Sequence, residues 1–238
     1  MSCRRPEAAA LSGALPATVT DPLHPPSVAR AVFGDRLELA QRYAVLLADV
    51  GVPRGLIGPR EADRLWGRHL LNSAVIGELI PPAASVLDVG SGAGLPGVPL
   101  ALARPDLSVT LMEPMARRVA FLVEVVADLE LDNVTVLRGR AEDAAVRRSL
   151  GRNDVVTARA VTGLHRLAGW CLPLLAPAGA LLAIKGESAQ LELDAARAAL
   201  HAAGAVRADV QACGIGLLTV PTTVIRVIAG STFHRSSP

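Results

Sequence analysis

One segment constrains the fold of this chain more than any other: a short apolar run, Val86–Val89, leads directly into a glycine-rich loop. The loop contains Gly90, Gly92 and Gly94, and an apolar stretch with helical spacing begins at Val98. Glycine lets a backbone turn tightly and approach a ligand without an intervening Cβ atom. A strand that passes through such a loop into a helix is typical of a nucleotide-like ligand site in a parallel α/β sheet.

Apolar runs and helical stretches alternate from Ser85 towards the end of the chain. Hydrophobic residues make up 51% of the 238 residues, enough to form a buried core. The predicted strands are Val86–Val89, Val109–Met112, Val134–Leu137, Asp154–Ala158, Ala180–Ile184, Val206–Gln211 and Thr223–Ile228. The predicted helices between them are Val98–Ala103, Arg117–Glu130, Leu164–Leu175 and Leu191–Ala203. This alternation predicts an α/β fold in which a mostly parallel sheet carries helices on both faces.

The chain before Ser85 has a different pattern. Residues 1–34 carry several prolines and little periodic apolar content, and we predict a flexible N-terminal extension there. Apolar residues recur at helical spacing from Asp35, so residues 35–82 are predicted to form an N-terminal helical segment. Residues 83–230 then make up the ligand-binding domain, followed by a flexible tail at 231–238.

Two carboxylates accompany the glycine loop. Glu113 ends the second predicted strand, 21 residues after Gly92, where an acid can accept hydrogen bonds from both hydroxyls of a ribose. Asp88 ends the first strand, where a carboxylate repels a pyrophosphate but attracts a sulfonium and an ammonium group. This favours S-adenosylmethionine as the cofactor. Residues 92–97 also match the pattern GxGxxG, so a nicotinamide-dependent (NAD) oxidoreductase is the alternative.

Longer motifs give the chain a resemblance to one family. They are Asp88-Val-Gly-Ser-Gly-Ala-Gly-Leu-Pro-Gly-Val-Pro-Leu, Ala103-Arg-Pro-Asp, Arg117-Arg118 with Phe121-Leu122, Thr157-Ala-Arg159-Ala, Ala183-Ile-Lys-Gly186 and Arg68-His69-Leu-Leu-Asn-Ser. From about residue 35 to residue 228 the chain resembles the RsmG family, also called GidB, of bacterial methyltransferases that modify guanine N7 in 16S ribosomal RNA. The resemblance implies a class I (Rossmann-like) methyltransferase fold, S-adenosylmethionine as cofactor, and 16S ribosomal RNA within the small ribosomal subunit as partner.

The same resemblance implies roles for particular residues. The cofactor contacts that it carries over are Gly90, Leu95, Ala141, Glu142 and Arg159. The loop and its acids add Asp88, Gly92, Gly94 and Glu113 as further cofactor-binding residues. The candidate contacts to RNA are Arg68, His69, Arg117, Arg118 and Lys185. Guanine N7 has a lone pair and no proton, so its methylation needs no general base; any catalytic role falls to the candidates His69, Arg159 and Lys185.

Composition bears on the remaining possibilities. A net charge of +2 is small for a nucleic-acid-binding protein, so the basic residues can equally be solvated surface. Fold and cofactor do not fix the acceptor, so a methyltransferase that acts on a small molecule is a second alternative. The three cysteines lie far apart and form no metal-binding spacing, which indicates a reduced compartment and no metal site. No apolar run approaches membrane-spanning length, and we predict a cytoplasmic protein.

Overall fold

The computed structural model of the protein describes residues 23–231, so the flexibility predicted for residues 1–22 and 232–238 lies outside the described residues. The residues before the sheet are helical. They form α1 (Ala29–Phe33), a 3-10 turn (Gly34–Arg36), α2 (Leu37–Leu46), a π-helical turn (Leu47–Gly51) and a 3-10 turn (Pro59–Arg64). A helical run follows without a break, made of a π-helical turn (Leu65–Leu71), α3 (Asn72–Ala74) and a 3-10 turn (Val75–Leu79). Between residues 23 and 231 no helix is both long enough and apolar enough to cross a bilayer.

Helix α1 corrects the predicted start of the helical segment. The prediction placed residues up to 34 in a flexible extension, whereas Ala29 and Phe33 of α1 are buried in the core. The ring of Phe33 packs edge-on against Trp66, with 6.2 Å between the ring centroids. Five residues are too few to show an apolar period in the sequence, so the helix gives no periodic signal. The ordered helical segment therefore begins before Asp35.

Seven strands in the described part of the chain form a single sheet. They are β1 (Ser85–Val89), β2 (Ser108–Glu113), β3 (Val134–Arg138), β4 (Asn153–Arg159), β5 (Leu175–Lys185), β6 (Ala205–Cys213) and β7 (Thr222–Ala229). The strand order is β3-β2-β1-β4-β5-β7-β6, in which β1 to β5 run parallel and β7 runs antiparallel to both of its neighbours. The helices between strands are α4 (Gly97–Ala103), α5 (Ala116–Asp128), α6 (Ala144–Leu150), α7 (Leu164–Cys171) and α8 (Ala189–Ala202). The predicted mostly parallel α/β sheet is confirmed.

Helices cover both faces of the sheet because consecutive strand residues point to opposite faces. In β1, Val86 belongs to the core that α1, α2, α4 and α5 form on one face. The next residue, Leu87, belongs to the core beneath α7 and α8 on the other face. The N-terminal helical segment thus packs on the same face as α4, which directly follows the glycine loop.

Two elements differ from the sequence prediction. The sequence pattern does not predict α6, because this helix buries none of its residues and so lacks an apolar period; its start is fixed by Asp143, which accepts a hydrogen bond from the Ala145 N–H at 2.8 Å. The helix predicted to reach Leu175 ends at Cys171. Pro173 lies in a 3-10 turn after it, and β5 begins immediately afterwards.

Candidate active site

The site residues predicted from the sequence lie along one edge of the sheet. Because β1 to β5 are parallel, their carboxyl ends share this edge. The edge carries Asp88, Gly90, Gly92, Gly94 and Leu95 at and after β1, Glu113 ending β2, Ala141 and Glu142 after β3, Arg159 ending β4 and Lys185 ending β5. Open α/β sheets bind ligands outside this edge, where the strand order reverses, here between β1 and β4. The edge is therefore the candidate active site.

The glycine loop is held close to β2 and uses its glycines for two different reasons. The N–H groups of Gly90 and Ser91 both donate to the Met112 carbonyl, at 2.8 and 3.1 Å. A Cβ atom on Gly94, where φ is +102°, would lie 2.7 Å from Val98, so packing excludes a side chain there. At Gly92 φ is +60°, and the nearest atom to such a Cβ would be 3.9 Å away. The loop is thus closed on its Gly94 side and open beside Gly92.

Asp88 faces the inside of the loop. Its carboxylate is fully buried and accepts hydrogen bonds from the Gly97 N–H at 3.0 Å and from the Thr157 hydroxyl at 3.2 Å. Burial raises its pKa to about 6, although the hydrogen bonds from Ser91, Gly97 and Thr157 oppose that rise. In the structure one carboxylate oxygen binds the first residue of α4 and the other binds Thr157 of β4, and the cofactor contact predicted from the sequence stays a prediction alongside these bonds. Asp88 fixes the shape of the loop.

Glu113 braces the other side of the same loop. Its Oε2 atom accepts a hydrogen bond from the Gly92 N–H at 3.0 Å, and its Oε1 atom accepts one from the Met115 N–H at 2.9 Å. Arg118 lies beside it, with Nη1 3.7 Å from Oε2. The residue is only 1% exposed. Each carboxylate oxygen has a second lone pair, so the ribose contact predicted from the sequence stays a prediction alongside this bracing role.

The loop after β3 continues the site beyond Glu113, since the Gly139 N–H donates to the Glu113 carbonyl at 3.3 Å. Ala141 is buried, and its carbonyl accepts a hydrogen bond from Arg147 Nε at 2.6 Å. Glu142 is exposed, with its carboxylate 3.6 Å from Arg140 Nη1. The Ala141 carbonyl therefore already has one hydrogen-bond partner, and Glu142 presents an exposed carboxylate in this loop.

Arg159 connects the end of β4 to the N-terminal helical segment. Its Nη1 atom donates to the Ser73 hydroxyl at 3.1 Å, and its Nη2 atom donates to the Arg68 carbonyl at 3.0 Å. A further Nη2 contact, at 2.8 Å, is to His69 Nδ1. On its far side His69 Nε2 lies 2.7 Å from Glu61 Oε2. The structure thus brings Arg159 and His69 together, and it adds Glu61, which nothing in the sequence pattern indicates because it lies in a separate 3-10 turn.

Lys185 is bonded to two neighbouring parts of the protein. Its ammonium group lies 2.7 Å from Glu192 Oε1 and donates to the Thr162 carbonyl at 3.2 Å. The same Glu192 oxygen accepts a hydrogen bond from the Leu164 N–H at the start of α7. The side chain thus joins the end of β5 to α7 and α8, and the RNA contact predicted for Lys185 stays a prediction.

Comparison with known families identifies the chain. The family model GidB, described as rRNA small subunit methyltransferase G, matches residues 36–219. The chain belongs to this family. Curated members of the RsmG family include a protein from Thermobifida fusca named ribosomal RNA small subunit methyltransferase G, 57% identical over 209 residues, which are 88% of this chain and 87% of that protein. The member of that name from Mycolicibacterium smegmatis is 54% identical over 213 residues, 90% of this chain and 87% of that protein.

Solved structures agree with the RsmG family assignment at the level of the fold. A protein from Aquifex aeolicus, described as a SAM-dependent methyltransferase, superimposes with a TM-score of 0.52 at 19% identity, over 75% of this chain and 97% of that one. Fibrillarin from Aeropyrum pernix, solved with natively bound S-adenosyl-L-methionine, gives a TM-score of 0.51 at 19% identity, over 67% of this chain and 74% of that one. The predicted Rossmann-like methyltransferase fold is confirmed.

A cavity adjoins the candidate site in this RsmG family member. It has a volume of about 900 Å³, and its walls include Trp66, Arg68, Asn72, Glu187 and Val220. Arg159 pairs in register with the last part of β5, so Glu187 lies just beyond the carboxyl edge next to it. The cavity thus lies on the β5 and β7 side of the edge, and the carbonyl of its wall residue Arg68 accepts a hydrogen bond from Arg159.

The other predicted RNA contacts differ in how accessible they are. Arg117 is exposed at the start of α5. The Arg118 side chain instead lies beside Glu113, with its Nη1 atom 3.7 Å from Glu113 Oε2. The side chain of Arg68 is 56% exposed and its Nε atom lies 3.3 Å from Glu61 Oε2. Arg68 and Arg117 are thus the two arginines of the predicted set with accessible side chains.

Tyr43 is a further contributor that sequence reasoning treats only as an apolar helix residue. Its hydroxyl is buried and donates to the Ala93 carbonyl of the glycine loop at 2.7 Å. Tyr43→Phe leaves that carbonyl without its buried donor, and we expect the free energy of unfolding to fall by about 1–2 kcal/mol. Urea unfolding followed by circular dichroism measures the change. An unchanged unfolding midpoint would contradict the role of α2 in holding the loop.

Proposed function

We propose that this chain is an S-adenosylmethionine-dependent methyltransferase that methylates guanine N7 in the 16S ribosomal RNA of the small ribosomal subunit. The observation that carries the proposal is the meeting of the glycine loop, Glu113 and Arg159 at one sheet edge, in a chain of the RsmG family. Curated relatives are named ribosomal RNA small subunit methyltransferase G. Action on ribosomal RNA also supports a cytoplasmic location.

The residues present fit S-adenosylmethionine. The loop beside Gly92 is open where a Cβ atom would meet nothing closer than 3.9 Å, so a ligand can approach the backbone there. We assign the ribose to the remaining lone pairs of Glu113 and the adenine edge to the loop at Ala141 and Glu142. Arg159, at the end of the neighbouring strand, is assigned the carboxylate of the cofactor. When bound, the cofactor supplies a methyl group on a positively charged sulfur.

Methylation of guanine N7 requires the protein to bind and orient the base and the cofactor, but not to transfer a proton. Guanine N7 offers an in-plane lone pair and loses no proton, so no side chain has to act as a general base. The chain has to hold the base about 3 Å from the methyl carbon and exclude water. We therefore assign binding and positioning roles, and no proton transfer, to the catalytic candidates His69 and Arg159.

The acceptor side of the site is assigned to the cavity next to Arg159. Its volume of about 900 Å³ lies in the range of ligand pockets and can take a nucleotide. Trp66 and Val220 supply apolar wall, and Arg68 supplies a cation for phosphate. The N-terminal helical segment and the methyltransferase domain that follows it then share the substrate. Guanine N7 faces a deep and narrow groove in duplex RNA, which favours an assembled subunit over a short naked RNA as substrate.

The two alternatives are not favoured. The argument from Asp88 against a pyrophosphate carries less weight in the structure, because that carboxylate is buried against Gly97 and does not face the open side. Membership of the RsmG family is what decides against a nicotinamide-dependent oxidoreductase. The same membership favours ribosomal RNA over a small molecule as acceptor.

Gly92→Val tests the cofactor assignment. The valine side chain would fill the open face of the loop, and we expect S-adenosylmethionine binding to be lost in calorimetric titration. Gly151→Val is the matched control, since Gly151 also has a positive φ of +68° and open space around it but lies before β4 at the opposite edge. Equal binding by both variants would show that the cofactor does not lie at this loop.

The acceptor is tested with labelled S-adenosylmethionine and small ribosomal subunits that lack the modification. We expect label in 16S ribosomal RNA at a site that becomes cleavable by aniline after borohydride reduction, the reactivity of N7-methylguanine. Protein-free 16S ribosomal RNA is tested in parallel. Labelling of protein-free RNA equal to that of subunits would overturn the preference for an assembled substrate, and labelling of neither would overturn the acceptor.

A further inference from the structure

We propose that Glu61 and His69 form a positioning pair that orients Arg159 towards the carboxylate of S-adenosylmethionine, and that the pair functions only while the His69 ring is neutral. The inference rests on the proposed function, since it assigns a partner to Arg159. It adds two residues of the N-terminal helical segment to the cofactor site, although neither needs to touch the cofactor.

The hydrogen-bond partners determine which nitrogen of His69 carries the proton. Arg159 Nη2, at 2.8 Å from His69 Nδ1, can only donate, so Nδ1 is the acceptor and carries no proton. The proton is then on Nε2, which donates to Glu61 Oε2 at 2.7 Å. His69 is 8% exposed, so water competes little for either bond. Glu61 therefore selects the tautomer that presents a lone pair to Arg159.

The same contacts leave part of the Arg159 guanidinium for a ligand. Three of its N–H groups donate to Ser73, Arg68 and His69, one from Nη1 and two from Nη2. Among residues 23–231 the Nε–H and the second N–H of Nη1 have no partner. Since three bonds from the helical segment fix the plane of the guanidinium, the two remaining donors have a fixed direction at the carboxyl end of β4.

Protonation of His69 would break this arrangement. The charged groups that act on the ring are Glu61 from the 3-10 turn, Arg68 from its own helical run and Arg159 from β4. Arg64 acts on Glu61, and Asp88 and Tyr43 act on Arg159. Burial, together with Arg159, lowers the pKa of His69 below its ordinary value of 6.5. A protonated ring would turn an Nδ1–H towards the Arg159 Nη2–H, so that two donors and two positive charges face each other. Cofactor affinity is therefore expected to fall as the pH falls through that pKa.

Two substitutions separate positioning from a merely structural role. Asn at position 69 places an amide oxygen near the site of Nδ1, keeps an acceptor for Arg159, and cannot be protonated. His69→Gln places its amide group near the position of Nε2, which keeps a partner for Glu61 but leaves Arg159 without its acceptor. The two variants have similar polarity, so a general loss of packing would affect both.

The experiment is calorimetric titration of the full chain with S-adenosylmethionine between about pH 5 and pH 8. At pH 8 we expect His69→Asn to bind within a few-fold of the wild type and His69→Gln to bind roughly 10- to 100-fold more weakly, the loss of one hydrogen bond to a charged group. The wild type is expected to lose affinity towards low pH, and His69→Asn to lose less. Thermal unfolding of each variant shows whether it is folded.

The titration distinguishes a failure of the positioning pair from a failure of the proposed cofactor. If the wild type binds S-adenosylmethionine and both variants bind equally well, or if the pH profile of His69→Asn matches that of the wild type, the positioning pair is refuted. If His69→Gln fails to fold, the pH profile of His69→Asn alone decides. Absence of wild-type binding at every pH would instead overturn the proposed cofactor.

Discussion

Gly97→Ala is expected to lower the free energy of unfolding by about 3 kcal/mol or more, at the upper end of what overpacking a core does. A Cβ atom at this position would lie 2.2 Å from Leu111 Cδ2 and 2.8 Å from Asp88 Oδ2. Leu111 is fully buried in β2, and the Asp88 carboxylate is fixed by the Gly97 N–H at 3.0 Å, so neither can withdraw freely. Urea unfolding followed by circular dichroism gives the free energy, and the Tm gives a second readout.

Gly169→Ala is the matched control for this change. Gly169 lies on the exposed side of α7, and no heavy atom would come within 4 Å of an added Cβ. Alanine at this helical position is expected to stabilise the protein by about 0.5–1 kcal/mol. The same substitution is thus expected to have opposite signs at two glycines. A Gly97→Ala protein as stable as the wild type would contradict the close packing of α4 on β1 and β2.

Glu113→Ala is expected to weaken S-adenosylmethionine binding by roughly 100-fold, because the side chain has two roles. In the protein itself it accepts the N–H groups of Gly92 and Met115, and without it the loop loses the brace that keeps Gly92 in place. Towards the cofactor it is assigned the ribose hydroxyls. Calorimetric titration at fixed pH measures the affinity, and urea unfolding measures how much of the loss reflects a loosened loop.

Glu113→Gln separates these roles further. Glutamine keeps the shape and one acceptor oxygen but turns an NH₂ group towards one of the two backbone donors. We expect an affinity between those of the wild type and Glu113→Ala, about 10-fold below the wild type. Identical affinity for all three proteins would mean that Glu113 neither braces the loop nor binds the cofactor, and the adenosine end of the site would have to be placed elsewhere.

The sheet and the loop could be predicted because they depend on local signals. Period-two and continuous apolar runs mark strands whatever they pair with, and the glycines of the loop mark backbone conformations that other residues adopt only with strain. The three positive φ values in the loop, at Gly90, Gly92 and Gly94, are of this kind. Helix α6 carries neither signal because all of its residues remain at least partly exposed.

The partners of the charged side chains could not be predicted, since they depend on tertiary contacts. Asp88 was identified as part of the site, but nothing local tells whether a carboxylate at a strand end faces the ligand or the following helix. Lys185 pairs with Glu192 across the turn from β5 to α8, and Glu61 is connected to Arg159 through His69. Sequence reasoning thus located the edge of the sheet where the site lies, whereas the structure determined which side chains there are free.

The bonds that join Arg159 to Arg68 and Ser73 bear on how the protein matures during synthesis. The glycine loop and the helical segment are both made early, yet the guanidinium that connects them belongs to β4, 91 residues after Arg68. Contacts this distant in sequence form late, after the entropy of closing a long loop has been overcome. A nascent chain that has been synthesised only as far as β2 therefore contains the glycine loop and the helical segment. It lacks Arg159, the residue that fixes the helical segment over the loop. Competence to bind the cofactor is expected to arise in one step, once β4 has joined β1.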